Sequence, residues 1–181
     1  VNKSIRAGEN IERQIIFTRD YQDMGVQSPV WQNVKRCIIN AKGALVSGTI
    51  SIKIDGPDAE VFADPLFEKV FYNLIDNSLK YGGEKLHTLR IGFRETDSGL
   101  VITYEDDGNG ISEEDKVHLF ERGFGKHTGL GLFLSREILS ITGIAITGDG
   151  VPGGGARFEI SVPAGAYRIL EQHESHPSLL R

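Results

Sequence analysis

Between Asp106 and Gly131 the chain carries six glycines and few aliphatic residues. A stretch like that supplies no core, so the elements on either side must build the fold and leave this segment at a surface or a site. The N-terminal flank reads as a hairpin. Strands are predicted at about 86–95 and 100–105, joined by Thr96-Asp97-Ser98-Gly99. The C-terminal flank is an apolar helix from about Leu130 to Thr142, stopped by Gly143, then strands at 144–147 and 156–162 around a glycine-rich turn from Gly148 to Gly155. Upstream, Asp64-Pro65 opens a long helix running to Tyr81, with Asp as N-cap, Pro at the first helical position and Gly82-Gly83 as the stop. Ile50, Ile52 and Ile54 alternate as in a strand with one wet face, and a short strand at 60–62 is expected to pair back across the turn at Asp55-Gly56-Pro57-Asp58. Before these, a helix over 1–24 ends at Gly25. A second helix over 30–41 begins behind Ser28-Pro29 and ends at Gly43. Hairpins mixed with single helices predict an α+β sandwich, not a doubly wound parallel sheet. The tail from Arg168 is polar and expected to be loose.

Charge and cysteine use narrow the partners. Lys and Arg number 20 against 25 Asp and Glu, a net −5, which argues against a general nucleic-acid or anionic-membrane surface. Cys37 is the sole cysteine, excluding intrachain disulfides and multi-cysteine zinc sites. There is no apolar run of membrane-spanning length. The start, Val1-Asn2-Lys3-Ser4, has no signal-peptide character and lacks an initiator Met, so the chain is expected to be part of something longer.

Three segments hold residues suited to chemistry. On the long helix, Asn73, Asn77, Lys80 and Tyr81 fall within an arc of roughly 100°, beside an apolar face of Phe67, Phe71 and Leu74. Asn is a poor helix former, and two at i, i+4 suit a polar ligand or a hard cation such as Mg²⁺, or else an ordinary surface amide pair beside a long Lys. Asp106-Asp107-Gly108-Asn109-Gly110-Ile111 comes directly after a strand. There a carboxylate meets backbone that lets a ligand approach, or simply makes a tight turn. It fits neither an EF-hand nor a dinucleotide fingerprint. Gly123-Phe124-Gly125-Lys126-His127-Thr128-Gly129-Leu130-Gly131-Leu132 leads a glycine-rich loop into a helix N-terminus, where free N–H groups and the dipole favour an anion. A Walker A loop is excluded, because Phe120 stands where Gly is required and His127 where Ser or Thr is required. Together the three describe a nucleotide pocket.

These segments resemble the N box (Asn73 to Tyr81), G1 box (Asp106-x-Gly108-x-Gly110) and G2 box (Gly129-Leu130-Gly131-Leu132) of the ATP-binding domain of sensor histidine kinases, in the GHKL superfamily. Leu119 to Phe124 resembles the F box of the ATP lid, and Gly153 to Phe158 the last glycine-rich turn and strand. Ile15 to Ala41 looks like the second helix of the dimerisation and phosphotransfer hairpin running into the ATP-binding domain. The resemblance implies a Bergerat fold: a two-layer α/β sandwich, mixed sheet with helices on one face, preceded by an N-terminal helix. It implies a division into 1–27 (partial dimerisation and phosphotransfer helix), 28–167 (ATP-binding catalytic domain) and 168–181 (tail). It also implies ATP and Mg²⁺ as cofactors. Asp106 would accept from the adenine 6-amino group and Asn77 would hold Mg²⁺, with Asn73 beside it. Lys80 would approach the phosphates and Tyr81 would pack on base or sugar. Further nucleotide contacts would fall to Gly108, Gly110, Ile111, Lys126, Thr128, Gly129, Leu130, Gly131 and Leu132. Lys126 or Arg122 would close over the γ-phosphate. Asn73 and Lys80 are the residues assigned to catalysis.

The resemblance departs in two places. Many members have Gly-x-Gly-Leu-Gly where this chain has His127-Thr128-Gly129, and no H-box histidine lies in the N-terminal helices. His87, His118, His127, His173 and His176 all stand elsewhere. The phosphoacceptor helix of the parent kinase, a response regulator and a homodimeric full-length protein are the implied partners. The implied location is cytoplasmic, with self-association of this piece weak or absent. Alternatives are a GHKL ATPase or serine kinase, or a non-catalytic module with a degenerate pocket. ATPases of the superfamily have a Glu base where Asn73 stands, and an amide cannot activate water, which favours phosphotransfer.

Overall fold

A computed structural model describes residues 2–45, 50–124, 129–150 and 152–170. Helix α1 spans Asn2–Asp23 and strand β1 spans Val30–Asn33, followed by α2 (Val34–Leu45), β2 (Ser51–Asp55) and β3 (Asp58–Ala63). Then come α3 (Phe67–Tyr81), a 3₁₀ turn at Gly83–Lys85, β4 (Thr88–Thr96) and β5 (Gly99–Asp106). The short α4 (Glu113–Lys116), α5 (Gly131–Ser140), β6 (Ala145–Gly150), β7 (Ala156–Pro163) and β8 (Tyr167–Leu170) complete it.

Five strands form a mixed sheet in the order β2-β4-β5-β7-β6. β2 and β4 run parallel, and the other neighbours are antiparallel. Period-2 alternation divides its faces. Ile91, Tyr104 and Phe158 lie opposite one another across three strands, as do Ile102, Ile160 and Ile146, and all six are buried. The outer face presents Arg90, Glu105, Arg157 and Asp149 in one cross-strand row of alternating charge. Helices α2, α3 and α5 form the second layer, with α3 in the middle, and Phe67, Phe71, Leu74 and Ile75 of α3 are fully buried in the shared core. This is the two-layer sandwich expected from the sequence.

A second, three-stranded sheet, β1-β3-β8, changes four readings. Residues 30–33, read as helix, are a strand pairing with β3 from Val30↔Ala63 to Asn33↔Glu60. Trp31 packs at a tilt against Phe62 across that pair, the ring centroids 5.4 Å apart, so tertiary pairing overrides a spacing that also fits a helix. Asn33, not Ser28, caps α2, its Oδ1 accepting from the Arg36 N–H at 2.9 Å, and the helix runs through Gly43 to Leu45. β3 does not pair back on β2, because the turn at 55–58 sends the two strands into different sheets. The beginning of the supposed loose tail, Arg168–Leu170, belongs to β8, paired with β3 from Asp58↔Leu170 to Val61↔Tyr167. Residues 171–181 lie outside the described residues.

Asp64 is fully buried and joins the layers. Its Oδ1 accepts from the Leu66 N–H at 2.8 Å and its Oδ2 from the Gly25 N–H at 2.9 Å. It therefore turns the chain into α3, which begins at Phe67 and not at Pro65, while anchoring the end of α1.

Candidate functional site

α3 is amphipathic, and the edge of its buried stripe faces a cavity of about 800 Å³. Asn73, Asn77, Lys80 and Tyr81 all line it, as the helical spacing predicts. From the end of β5 come Asp106, Gly110 and Ile111, and from the start of α5 come Gly129, Leu130, Gly131 and Leu132. The three segments picked out in the sequence therefore meet in one place. Gly108 does not line the cavity. Its part is structural, since a Cβ there would lie 2.6 Å from the Gly82 Cα. Lys126, His127 and Thr128 lie outside the described residues.

At one end, Asp106 is held on both oxygens. Oδ1 accepts from the Gly108 and Ala156 N–H groups, each at 3.0 Å, and Oδ2 accepts from the Ser78 hydroxyl at 2.6 Å. The G1 turn is tied to the end of α3 by Asn109, whose N–H donates to the Gly82 carbonyl at 3.0 Å and whose side chain donates to the Tyr81 carbonyl at 3.2 Å. Ile111, Leu134, Ala156 and Phe158 give this end apolar walls.

At the other end, α5 begins with no side-chain cap, so its first N–H groups are available to an anion. Gly129 makes the approach possible. Its φ is +60°, and a Cβ would sit 2.3 Å from the Phe124 carbonyl oxygen. Asn73 is buried and its amide donates to the Gly131 carbonyl at 2.9 Å and the Ser135 hydroxyl at 3.1 Å, locking α3 to the start of α5. Lys80 is ion-paired with Asp76 one turn earlier on α3.

Several wall residues escaped the sequence reading. Asp76 was legible, standing four residues before Lys80. Ser78 was legible only as a neighbour of Asn77, since its partner Tyr104 becomes visible only through the register of β5. Least legible was α1, whose Ile16, Phe17 and Asp20 close one side of the cavity. Asp20, 4% exposed, pairs with Lys69 of α3 at 3.0 Å. Phe17 stacks on Tyr21 at 5.7 Å and meets Phe133 of α5 at 6.4 Å, under the Arg122 guanidinium. Among the described residues no cluster of three or more His, Cys, Asp or Glu is set to hold a metal, and no helix is long and apolar enough to cross a membrane.

Residues 63–166 match the family described as histidine kinase-, DNA gyrase B-, and HSP90-like ATPase. The chain belongs to this family. Among its relatives, the adaptive-response sensory kinase SasA of Crocosphaera subtropica is 40% identical over 114 residues, covering 57% of this chain and 29% of that protein. The signal transduction histidine-protein kinase AfsQ2 of Streptomyces coelicolor is 34% identical over 102 residues, covering 52% of this chain and 18% of that protein. The chain thus spans less than a third of the length of either. The mycobacterial sensor histidine kinase MprB is similar in fold, with a TM-score of 0.68 at 19% identity, covering 78% of this chain and 99% of that structure. This histidine kinase-like ATPase domain has the GHKL, or Bergerat, architecture. The family match stops short of β1, α2 and β8, so most of the small sheet lies outside it.

Proposed function

We propose that this chain is the ATP-binding catalytic portion of a two-component sensor histidine kinase, holding Mg-ATP for transfer of its γ-phosphoryl group to a histidine on the phosphoacceptor helix of the parent kinase. One observation carries the reading: a single cavity joins a carboxylate held on both oxygens, Asp106, to an uncapped helix N-terminus, with two amides of one helix edge between their elements. The carboxylate suits the adenine 6-amino group, with Tyr81 and Ile111 against base or sugar. The N–H groups of Gly131 and Leu132 suit phosphate oxygens, with Gly129 and Leu130 in the approach to them, and Lys126 and Thr128 are assigned to the same nucleotide from the sequence motif alone.

Hard oxygens fit Mg²⁺, and the Asn77 amide oxygen is the group that would hold it beside the phosphates. Bound there, the ion supplies charge neutralisation. The chain's own residues do the positioning. Lys80, released from Asp76, turns to the phosphates, and Asn73 keeps α5 aligned with α3. The imidazole nitrogen of the acceptor attacks the γ-phosphorus, the bond to the β–γ bridging oxygen breaks, and ADP leaves with that electron pair. Asn73 carries no basic lone pair and its amide donates to α5, so water activation at this position is disfavoured and phosphotransfer is favoured over hydrolysis.

The chain divides, in this reading, into helix 1–27, catalytic domain 28–167 and tail 168–181. The side of α1 turned away from the cavity exposes Ile11 and Ile15, at 59% and 64%, which suits pairing with further helices in a full-length homodimer. A response regulator is the downstream partner, and the cytoplasm the compartment.

The test is titration calorimetry with ATP and GTP in Mg²⁺, on the chain and on Asp106→Ala. A hydrogen bond to a charged group predicts a loss of roughly 10- to 150-fold for ATP in the variant. No ATP binding by the unaltered chain, or equal affinity in the variant, overturns the reading.

A further inference from the structure

Asp106 does not stand alone at its end of the cavity. The Ser78 hydroxyl donates to its Oδ2 at 2.6 Å, and the Tyr104 hydroxyl lies 2.9 Å from the same Ser78 oxygen. The direction of these bonds is fixed by counting donors. Ser78 has one hydroxyl hydrogen and gives it to the carboxylate, so the phenol must donate to Ser78. The chain therefore contains a one-way relay, Tyr104 O–H to Ser78 O–H to Asp106. Ser78 and Tyr104 are 4% and 0% exposed, so water does not compete for either hydroxyl. In such surroundings successive hydrogen bonds polarise one another. Burial raises the Tyr104 pKa well above the ordinary phenol range, which keeps the donor proton in place at any working pH.

The relay also decides how much of the carboxylate remains for a ligand. A carboxylate offers about four acceptor sites. Two backbone N–H groups fill Oδ1 and Ser78 takes one site on Oδ2, leaving one on Oδ2. We propose that Ser78 and Tyr104 are positioning residues for base specificity: by fixing the Asp106 carboxylate with a single acceptor site open, they set the pocket for a purine whose 6-amino group donates one N–H to that site and against a 6-oxo purine. Both residues are rigidly placed. Ser78 is on α3 next to Asn77. Tyr104 stands on the inner face of β5 opposite Ile91 and Phe158, its ring 6.3 Å from that of Phe158. The relay thereby couples the sheet that carries the base-reading group to the helix that carries the amides.

The inference rests on the assignment of Asp106 to base recognition, and the experiment separates the two. Calorimetry measures Mg-ATP and purine riboside triphosphate, which lacks the 6-amino group, on the unaltered chain and on Ser78→Ala, Tyr104→Phe, the double variant and Ser78→Thr. Tyr104→Phe keeps the ring, and the double variant leaves no hydroxyl stranded, so at least one variant without the relay folds. The unaltered chain should prefer ATP by roughly tenfold or more. That preference should fall about threefold in Tyr104→Phe and by most of its value in Ser78→Ala and the double variant, and it should persist in Ser78→Thr. A purely structural role would weaken both nucleotides alike and leave the ratio untouched. Equal affinity of the unaltered chain for the two nucleotides overturns the base-reading role of Asp106 and the relay with it. A preference that survives intact in Ser78→Ala and Tyr104→Phe overturns the relay alone.

Discussion

Gly108→Ala isolates the role of close backbone approach in this site. Gly108 has no positive φ, so an alanine is permitted by its own backbone, and only space opposes it. The space is missing. The new Cβ would lie 2.6 Å from the Gly82 Cα and 2.9 Å from the Gly82 carbonyl oxygen, short of ordinary carbon–carbon contact by about 1 Å. Neither neighbour is a side chain that can swing away, so the G1 turn must lift from the end of α3. Lifting it strains three hydrogen bonds: Asn109 N–H to Gly82, the Asn109 side chain to Tyr81, and Gly108 N–H to Asp106. Overpacking of this kind costs about 1–3 kcal/mol, and each hydrogen bond lost adds about 0.5–1.5 kcal/mol. With one bond lost the total is about 2–4 kcal/mol, which for a chain of this size lowers Tm by roughly 5–15 °C. Thermal denaturation monitored by circular dichroism measures it, with Gly123→Ala as the counterpart. Gly123 has φ +83° but nothing within 4 Å of a Cβ, so it carries only the local backbone cost of about 1 kcal/mol. A Gly108→Ala variant that melts within a degree or two of the parent, or no lower than Gly123→Ala, refutes the argument from contact.

Asn77→Ala should abolish the Mg²⁺-dependent strengthening of ATP binding while leaving metal-free binding nearly unchanged, measured by calorimetry with Mg²⁺ and with a chelator. Retained Mg²⁺ dependence would remove Asn77 from the metal. Asp149 is held below the ordinary carboxylate range by its hydrogen bond from Lys116, which ties α4 to β6. A group ionised more readily in the folded state stabilises above its unfolded pKa, about 3.9, and loses that effect as pH falls through the lowered folded value. The small Tm difference between the parent and Asp149→Asn should therefore be present at pH 7 and shrink as pH falls below about 4; a difference that grows on acidification contradicts the sign. Burial pushes the Cys37 thiol up to about 11, so at pH 8 it should react with a thiol reagent only after unfolding in urea, and stoichiometric labelling of the native chain would contradict its place in the core.

Much of the layered sandwich was legible because its signals are local. The α3 edge shows at a 3.6-residue period, the β4–β5 hairpin has its Asp-Ser loop before Gly99, and α5 starts on glycines and stops at Gly143. The site was legible for the same reason, since each of its three segments is contiguous. The small sheet was not. Trp31, Val34 and Ile38 are spaced as on a helix, and only the distant partners Phe62 and Ala63 make residues 30–33 a strand. Nor does alternation in β2 and β3 say that two strands joined by two residues will separate into different sheets. The Ser78–Tyr104 contact and the wall formed by α1 depend on register and on packing between elements, which no single segment encodes.

The order of the small sheet also fixes a timetable. β3 lies between β1, made before it, and β8, made long after, and the cross-strand pair Glu60 and Arg168 is separated by 108 residues. At a synthesis rate of about 5–20 residues per second, one edge of β3 waits roughly 5–20 s for its partner while the other pairs as soon as it emerges. During that interval the Val61 and Ala59 side chains depend on α2 and α3 for cover, and the unpaired backbone from Asp58 to Val61 faces the surroundings. The layers that wall the cavity can assemble first, and the four residues of β8 then cover the free edge of β3.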